Sequence, residues 1–223
     1  MARSARWWMA LVLVGAVAAG ATAGQAGAVK IIAISTSPRA GKTTAAALTA
    51  VLEAAKAVDP KIEVELIELA GMNIPGSAAA GVPVPAGQTD DFPKLAPKLA
   101  DPAVAGIIIG SPVYFSNMSS LCKAFLDRCI TFRKDGFSLR DKVAGVVAVG
   151  GSRNGGQELT VQSIQVALLC QDMILVGSGK PSGRAGATLW SQKSDISADA
   201  YGLGLAKGLG QRVAEVALRL AAK

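Results

Sequence analysis

The chain of 223 residues contains no histidine. That removes every hydrolase built on a Ser-His-Asp or Cys-His arrangement and every metal site that needs an imidazole ligand. Cysteine is scarce too: Cys122, Cys129 and Cys170 are an odd number and form no disulfide framework. Cys122 and Cys129 stand seven apart on one predicted helix, about 10.5 Å along its axis, which is beyond disulfide reach. They read as small buried hydrophobes. Aromatic residues make up only 4% of the chain, and the basic residues behind the net charge of +7 are scattered, with no long basic block. This excludes a nucleic-acid footprint while still favouring anionic ligands. With neither histidine nor a cysteine cluster, an enzyme of this composition leaves its chemistry to a bound cofactor.

Residues 1–28 have the form of an export signal. Arg3 and Arg6 make a positive start, an apolar stretch runs from Trp7 to about Gly20, and Ala21-Thr22-Ala23 and Ala26-Gly27-Ala28 are cleavage-like. The alternative is an uncleaved membrane anchor, because Trp7 to Val29 carries no charge and is just long enough to span a bilayer. The signal reading predicts a periplasmic or extracellular protein whose only membrane contact is through this segment. Residues 29–223 then form one α/β domain, large enough for a real core.

Within that domain, strand-like runs alternate with helix-like ones at the spacing of a doubly wound sheet. Val29 to Ser35, Val104 to Gly110 and Val143 to Gly150 are almost continuously apolar, as central parallel strands are. Lys61 to Leu69 alternates Ile62, Val64 and Leu66 with Glu63 and Glu65, as an edge strand does. Helices are predicted over Thr43 to Val58, Asn117 to Phe132, Gln157 to Cys170 and Asp199 to Ala222. In the last, four glycines leave the first half either frayed or closely packed. The expectation is a three-layer sheet of five parallel strands in the order 2-1-3-4-5, with a ligand at the switch point between strands one and three. Ala70 to Gly87 is a Pro/Gly/Ala-rich loop long enough to be functional or mobile.

Three loops carry the chemistry. Ser35 to Thr44, STSPRAGKTT, joins strand one to a helix start, where unpaired amides and the helix dipole favour a phosphate. Ser35, Ser37, Thr43 and Thr44 add hydroxyls, Gly41 adds freedom of turn, and Arg39 and Lys42 add positive charge. Gly41-Lys42-Thr43 imitates the end of a nucleotide-triphosphate loop, but Thr36 stands where its first glycine belongs and no later strand ends in a magnesium-binding Asp. At the end of strand three, Pro112, Val113, Tyr114 and Phe115 lead into the next helix, capped by Ser116 or Asn117. At the end of strand four, Gly150, Gly151, Ser152, Asn154, Gly155 and Gln157 lie in a glycine-rich loop that lets backbone approach a ligand closely.

The quoted motifs carry a family resemblance. Gly110 to Arg128 is similar to the "GSPVY…KAF-DR" stretch of flavodoxin-like NAD(P)H-dependent FMN reductases and iron-sulfur flavoproteins. Ser37 to Thr43 resembles their flavin-phosphate loop, and Gly150 to Glu158 their "GGS-GGGQE" loop. The resemblance covers roughly Val29 to Ser178. It implies a flavodoxin-like fold binding FMN, with the phosphate on Ser35 to Thr44 and the ring between Pro112 to Phe115 and Gly150 to Gln157. It further implies NADPH or NADH as donor, a quinone, another small electron acceptor or a redox protein as partner, and a homodimer or tetramer. In iron-sulfur flavoproteins the loop before the Asp-Asp-Phe helix start carries the cluster cysteines. Here Ile74 to Gly87 contains none, although Asp90, Asp91 and Phe92 match, so a cluster-free relative is expected. Two alternatives stand beside the reductase: an exported flavin carrier without NAD(P)H activity, and a flavin-free binding module.

Overall fold

The computed structural model describes residues 28–222, so the export-signal expectation falls almost wholly outside the described residues. The chain runs β1 (Val29–Ser35), α1 (Thr43–Lys56), β2 (Ile62–Glu68), a 3-10 turn at Gly76–Ala80, α2 (Phe92–Ala100) and β3 (Val104–Pro112). It continues through α3 (Ser120–Arg128), α4 (Ile130–Lys134), β4 (Val143–Gly150), α5 (Gln157–Leu169), β5 (Ile174–Leu175), β6 (Ala187–Trp190) and α6 (Ala200–Ala221). The sheet order is β2-β1-β3-β4-β5 with every pairing parallel, which is the flavodoxin-like arrangement. The fifth position is split between two short strands. Ile174 and Leu175 pair with the start of β4, and Ala187 to Trp190 pair with its end.

Strict alternation along the central strands builds two cores. Ile32, Ile34, Ile107 and Ile109 face a layer containing Phe92, Phe125, Phe132 and Ile164 from α2 to α5. Ile31, Ala33 and Ile108 face Leu48 and Val51 of α1 and Leu209 and Val213 of α6. Burying a side chain of this size contributes roughly 1.5–3 kcal/mol, and both faces are covered, as an all-parallel sheet requires. Gly202, Gly208 and Gly210 of α6 are closely packed, whereas Gly204 faces open space: a Cβ on Gly210 would stand 2.0 Å from the Val51 carbonyl oxygen of α1. Among the described residues no helix is long and apolar enough to cross a membrane.

Two boundaries differ from expectation. The predicted Asn117 to Phe132 helix starts at Ser120 and breaks at Cys129, with Ser119 as its cap in place of Ser116 or Asn117. The cause is a two-residue turn. Phe115 and Ser116 both adopt positive φ, +49° and +60°, between the reciprocal hydrogen bonds of Tyr114 and Asn117, which holds those residues out of helical geometry. The Ala70 to Gly87 segment is anchored by Arg128, whose guanidinium bonds the Pro75 carbonyl at 3.3 Å, pairs with Asp90 at 2.7 Å and lies 4.8 Å from the centre of the Phe92 ring.

Candidate functional site

The carboxyl ends of β1, β3 and β4 stand side by side, and a few buried hydroxyls lock their loops together. Thr36, just past β1, donates both its amide and its hydroxyl to the Gly110 carbonyl of β3, at 2.9 and 2.8 Å. Ser119 donates its hydroxyl to the Thr36 carbonyl at 2.8 Å while accepting from the Cys122 amide at 3.0 Å. One serine therefore caps α3 and fastens it to the loop after β1. Ser111 accepts from the Ser119 amide at 3.0 Å, which places the third knot. The sequence motifs mark neither Ser111 nor Ser119, and they mark Thr36 only as the residue at the missing glycine position. The signal for Ser119 was present, because the Ser119-Ser120 pair before the Leu121 to Phe125 run is an ordinary helix start.

With the loop held from outside, the donors at its helix end stay open. Among the described residues the amides of Thr43, Thr44 and Ala45 begin α1 without an acceptor, Lys42 provides no side-chain cap, and the first turn has no acidic residue. Such a terminus has the positive dipole end free for an anion. Pro38 to Lys42 are exposed, placing Arg39 and Lys42 at the rim, while the side chains of Thr43 and Thr44 are buried. Ser37 is spent inside the turn, accepting from the Arg39 amide at 3.1 Å. Gly41 donates its amide to the Glu68 carboxylate at 2.8 Å, a carboxylate that the sequence alone did not place here. Ser35, fully buried at the end of β1, has a hydroxyl oxygen with no hydrogen-bond partner among the described residues. An orphan of that kind costs about 1–3 kcal/mol. Together with the open amides it fits a loop made to take a phosphate.

Beside it, Pro112 is the buried last residue of β3 and presents nothing; Val113 is half-buried; Tyr114 and Phe115 are exposed. Phe115 is 105% exposed at the tip of its turn. Across from it the glycine-rich loop braces itself. Gln157 is buried, accepts from the Gly155 amide at 2.8 Å and donates to the carbonyls of Ser152 at 2.7 Å and Leu189 at 3.2 Å. Its amide shapes the loop and is not free for a ligand, whereas Gly151, Ser152 and Asn154 are exposed. Gly150 makes room for Gln157, since a Cβ there would lie 2.6 Å from Nε2. Gly156, at φ +98°, touches the neighbouring loop so closely that a Cβ would stand 2.4 Å from the Ser116 hydroxyl oxygen.

The cysteines take no part. Burial pushes the Cys122 thiol up to about 12 and raises that of Cys129 as well, so neither is a thiolate near neutrality. Cys170 is exposed at the far end of α5. Among the described residues no three His, Cys, Asp or Glu side chains gather as metal ligands.

Comparison with known proteins agrees with this geometry. The family model for NADPH-dependent FMN reductase matches residues 29–186. An iron-sulfur flavoprotein of Methanocaldococcus jannaschii is 40% identical over 193 residues, covering 84% of this chain and 96% of its own. An iron-sulfur flavoprotein of Methanosarcina thermophila is 35% identical, covering 69% and 80%. An NAD(P)H dehydrogenase (quinone) of Paracoccus denitrificans is 35% identical over 52% of this chain and 62% of its own. Among solved structures, RosB superposes with a TM-score of 0.67 at 16% identity over 86% of this chain and 80% of that one. An apo NADH:FMN oxidoreductase does so at 0.58 and 21%, over 86% and 89%. At such identities the structural likeness speaks for the fold. Motif order, loop geometry and the match over most of the chain agree: this is an oxidoreductase belonging to the NADPH-dependent FMN reductase family.

Proposed function

We propose that the protein binds FMN noncovalently and uses NADPH or NADH to reduce a quinone or another small electron acceptor. The observation that carries this reading is the open amide terminus of α1 beside the orphaned Ser35 hydroxyl, set next to an exposed aromatic turn and a glycine-rich loop. In it, Thr43 to Ala45 hold the phosphate through their amides, with Arg39 and Lys42 adding charge. Tyr114 and Phe115 border the ring on one side, and Gly151, Ser152 and Asn154 offer donors on the other. When bound, the flavin supplies the hydride-accepting ring. The chain orients it and places backbone dipoles near it. The relatives' names as flavoproteins and as a quinone dehydrogenase support the cofactor and the acceptor class.

Three finer parts of the reading rest on separate observations. A cluster-free protein follows from the absence of cysteine over Ile74 to Gly87, despite relatives named for a cluster. Iron and acid-labile sulfide at one cluster per chain would remove that part. A homo-oligomer that completes the pocket is supported by the exposure of Phe115 and of Leu159, Val166 and Leu169 on α5. Sedimentation of a monomer at micromolar concentration would count against it. Export rests on residues 1–28 alone, and finding the intact leader on cytoplasmic protein would end it.

The decisive experiment is a visible spectrum of the purified chain followed by anaerobic mixing with NADPH or NADH. A flavin spectrum that bleaches and recovers on adding a quinone is expected. A flavin that never bleaches would make the protein a carrier. A colourless chain that FMN fails to stabilise would remove the flavin reading altogether, since FMN at 100 times its dissociation constant is worth about 2.7 kcal/mol.

A further inference from the structure

A carboxylate sits in a loop that otherwise suits an anion. Glu68 is the last residue of β2 and lies opposite Ser35 in the parallel register of β1 and β2. Residues paired in this way project to the same face of the sheet, and two steps at a time lead back from them to Ala33, Ile31 and Ile62, which pack on the α1 side. The Glu68 carboxylate and the partnerless Ser35 hydroxyl therefore share the side on which α1 begins. From there Glu68 accepts the Gly41 amide at 2.8 Å. Gly41 has a φ of +62°, and a Cβ on it would meet nothing within 4 Å, so the glycine serves the turn that aims this amide.

That bond changes what the loop can hold. In the nucleotide loops that Gly41-Lys42-Thr43 imitates, amides along the loop cradle successive phosphates. Here the Arg39 amide is spent on the Ser37 hydroxyl and the Gly41 amide on Glu68, while the amides of Thr43, Thr44 and Ala45 stay open. The open donors are gathered at the helix end, where one phosphate fits. A second phosphoryl group following the loop would find the Gly41 donor taken and a negative charge beside it. That charge is not cancelled locally, because Glu68 is half-buried and, like Arg39 and Lys42, has no ion pair among the described residues.

We propose that Glu68 is a specificity-determining residue, which restricts the loop to a phosphate monoester and turns away diphosphates such as FAD and nucleoside diphosphates. Selectivity of this kind comes from repelling the wrong ligand as much as from holding the right one. The assignment rests on the flavin reading above and is tested so that the two can fail separately.

The flavin-free full chain is titrated calorimetrically with FMN, FAD, inorganic phosphate and pyrophosphate, beside Glu68→Gln and Glu68→Ala. Glutamine keeps an oxygen for the Gly41 amide and drops the charge; alanine drops both. The original chain should prefer FMN to FAD, and both variants should reduce that preference about tenfold, with a matching gain of pyrophosphate over phosphate. An original chain that binds FAD as tightly as FMN overturns the proposal, as does a preference that stays within about twofold of the original in both variants. Equal weakening of FMN and FAD would make Glu68 a brace of the loop and would overturn it too. If no form binds either flavin but the variants still gain pyrophosphate over phosphate, the role of Glu68 stands and only the flavin reading fails; without that gain, both fall.

Discussion

The loop after β1 and the loop after β4 sit at the same edge of the sheet, yet they are held in opposite ways. The first is tied from outside, by Gly110 and Ser119 acting on Thr36, and keeps its helix-terminal amides open. The second is tied from inside, by Gln157 folding back onto Gly155 and Ser152, and keeps its outer surface open. The first spends its Arg39 and Gly41 amides on Ser37 and Glu68 and leaves those of Thr43 to Ala45 open; the second spends the Gly155 amide on Gln157 and leaves Gly151, Ser152 and Asn154 exposed. Composition follows: hydroxyls and positive charge in the first, glycines and one buried amide in the second.

The largest effect should come from breaking the seam between the glycine loop and the aromatic turn. Gly156→Ala forces a Cβ to within 2.5 Å of Ser116 at a φ of +98°. Strain and overpacking together should cost about 2–4 kcal/mol, read as a lower denaturant midpoint. An unchanged midpoint would mean that the two loops part freely. Removing the outside tie is next. Ser119→Ala loses the α3 cap and the bond to Thr36, with an expected loss of about 1–2 kcal/mol and weaker FMN binding. A stability loss without change in FMN affinity would show that the phosphate loop does not depend on its tie.

Arg39→Glu tests the open amides without touching the ties, because the Arg39 side chain is exposed. FMN affinity should fall roughly tenfold, about 1.4 kcal/mol, while riboflavin, which lacks the phosphate, should bind both forms alike. Equal loss for the two ligands would place the phosphate elsewhere. The smallest effect concerns the neighbouring segment, the one held by an ion pair. Arg128 hydrogen-bonds Asp90 and keeps its carboxyl below the usual carboxylate range. Since the folded value is the lower one, this contribution is full above about pH 4, the unfolded value. It fades as pH falls through the folded value. Asp90→Asn should flatten that acid-side loss by less than about 1 kcal/mol, and an identical acid denaturation profile would count against the clamp.

What could be read from the sequence was whatever depends on near neighbours. The Ile107 to Ile109 run and the Glu63 and Glu65 alternation of the edge strand gave the strand order, and the STSPRAGKTT turn gave the uncapped start of α1. What could not be read depends on distant partners. Gln157 looked like a ligand because its burial under Leu189 of β6 is a contact 32 residues away. The start of α3 was misplaced because Phe115 and Ser116 make a positive-φ turn without the Asn-Gly that usually announces one. Ile174 and Leu175 are too short to register as a strand, and Ala187 to Trp190 complete the row only after a detour. A pocket lined by Arg153, Val161, Arg184, Trp190 and Tyr201 is likewise assembled from three separate stretches of chain.

That Phe115–Ser116 turn has a consequence for engineering. A hairpin chosen for folding alone would carry Asn-Gly there, and the native pair forgoes roughly 1–2 kcal/mol for each left-handed residue. Selection of variants for heat resistance would therefore converge on replacing Phe115, the side chain that projects farthest into solvent. A library sorted by melting temperature would enrich proteins that survive heating and have lost the aromatic tip, so thermal tolerance and the proposed flavin contact are set against each other at two adjacent codons.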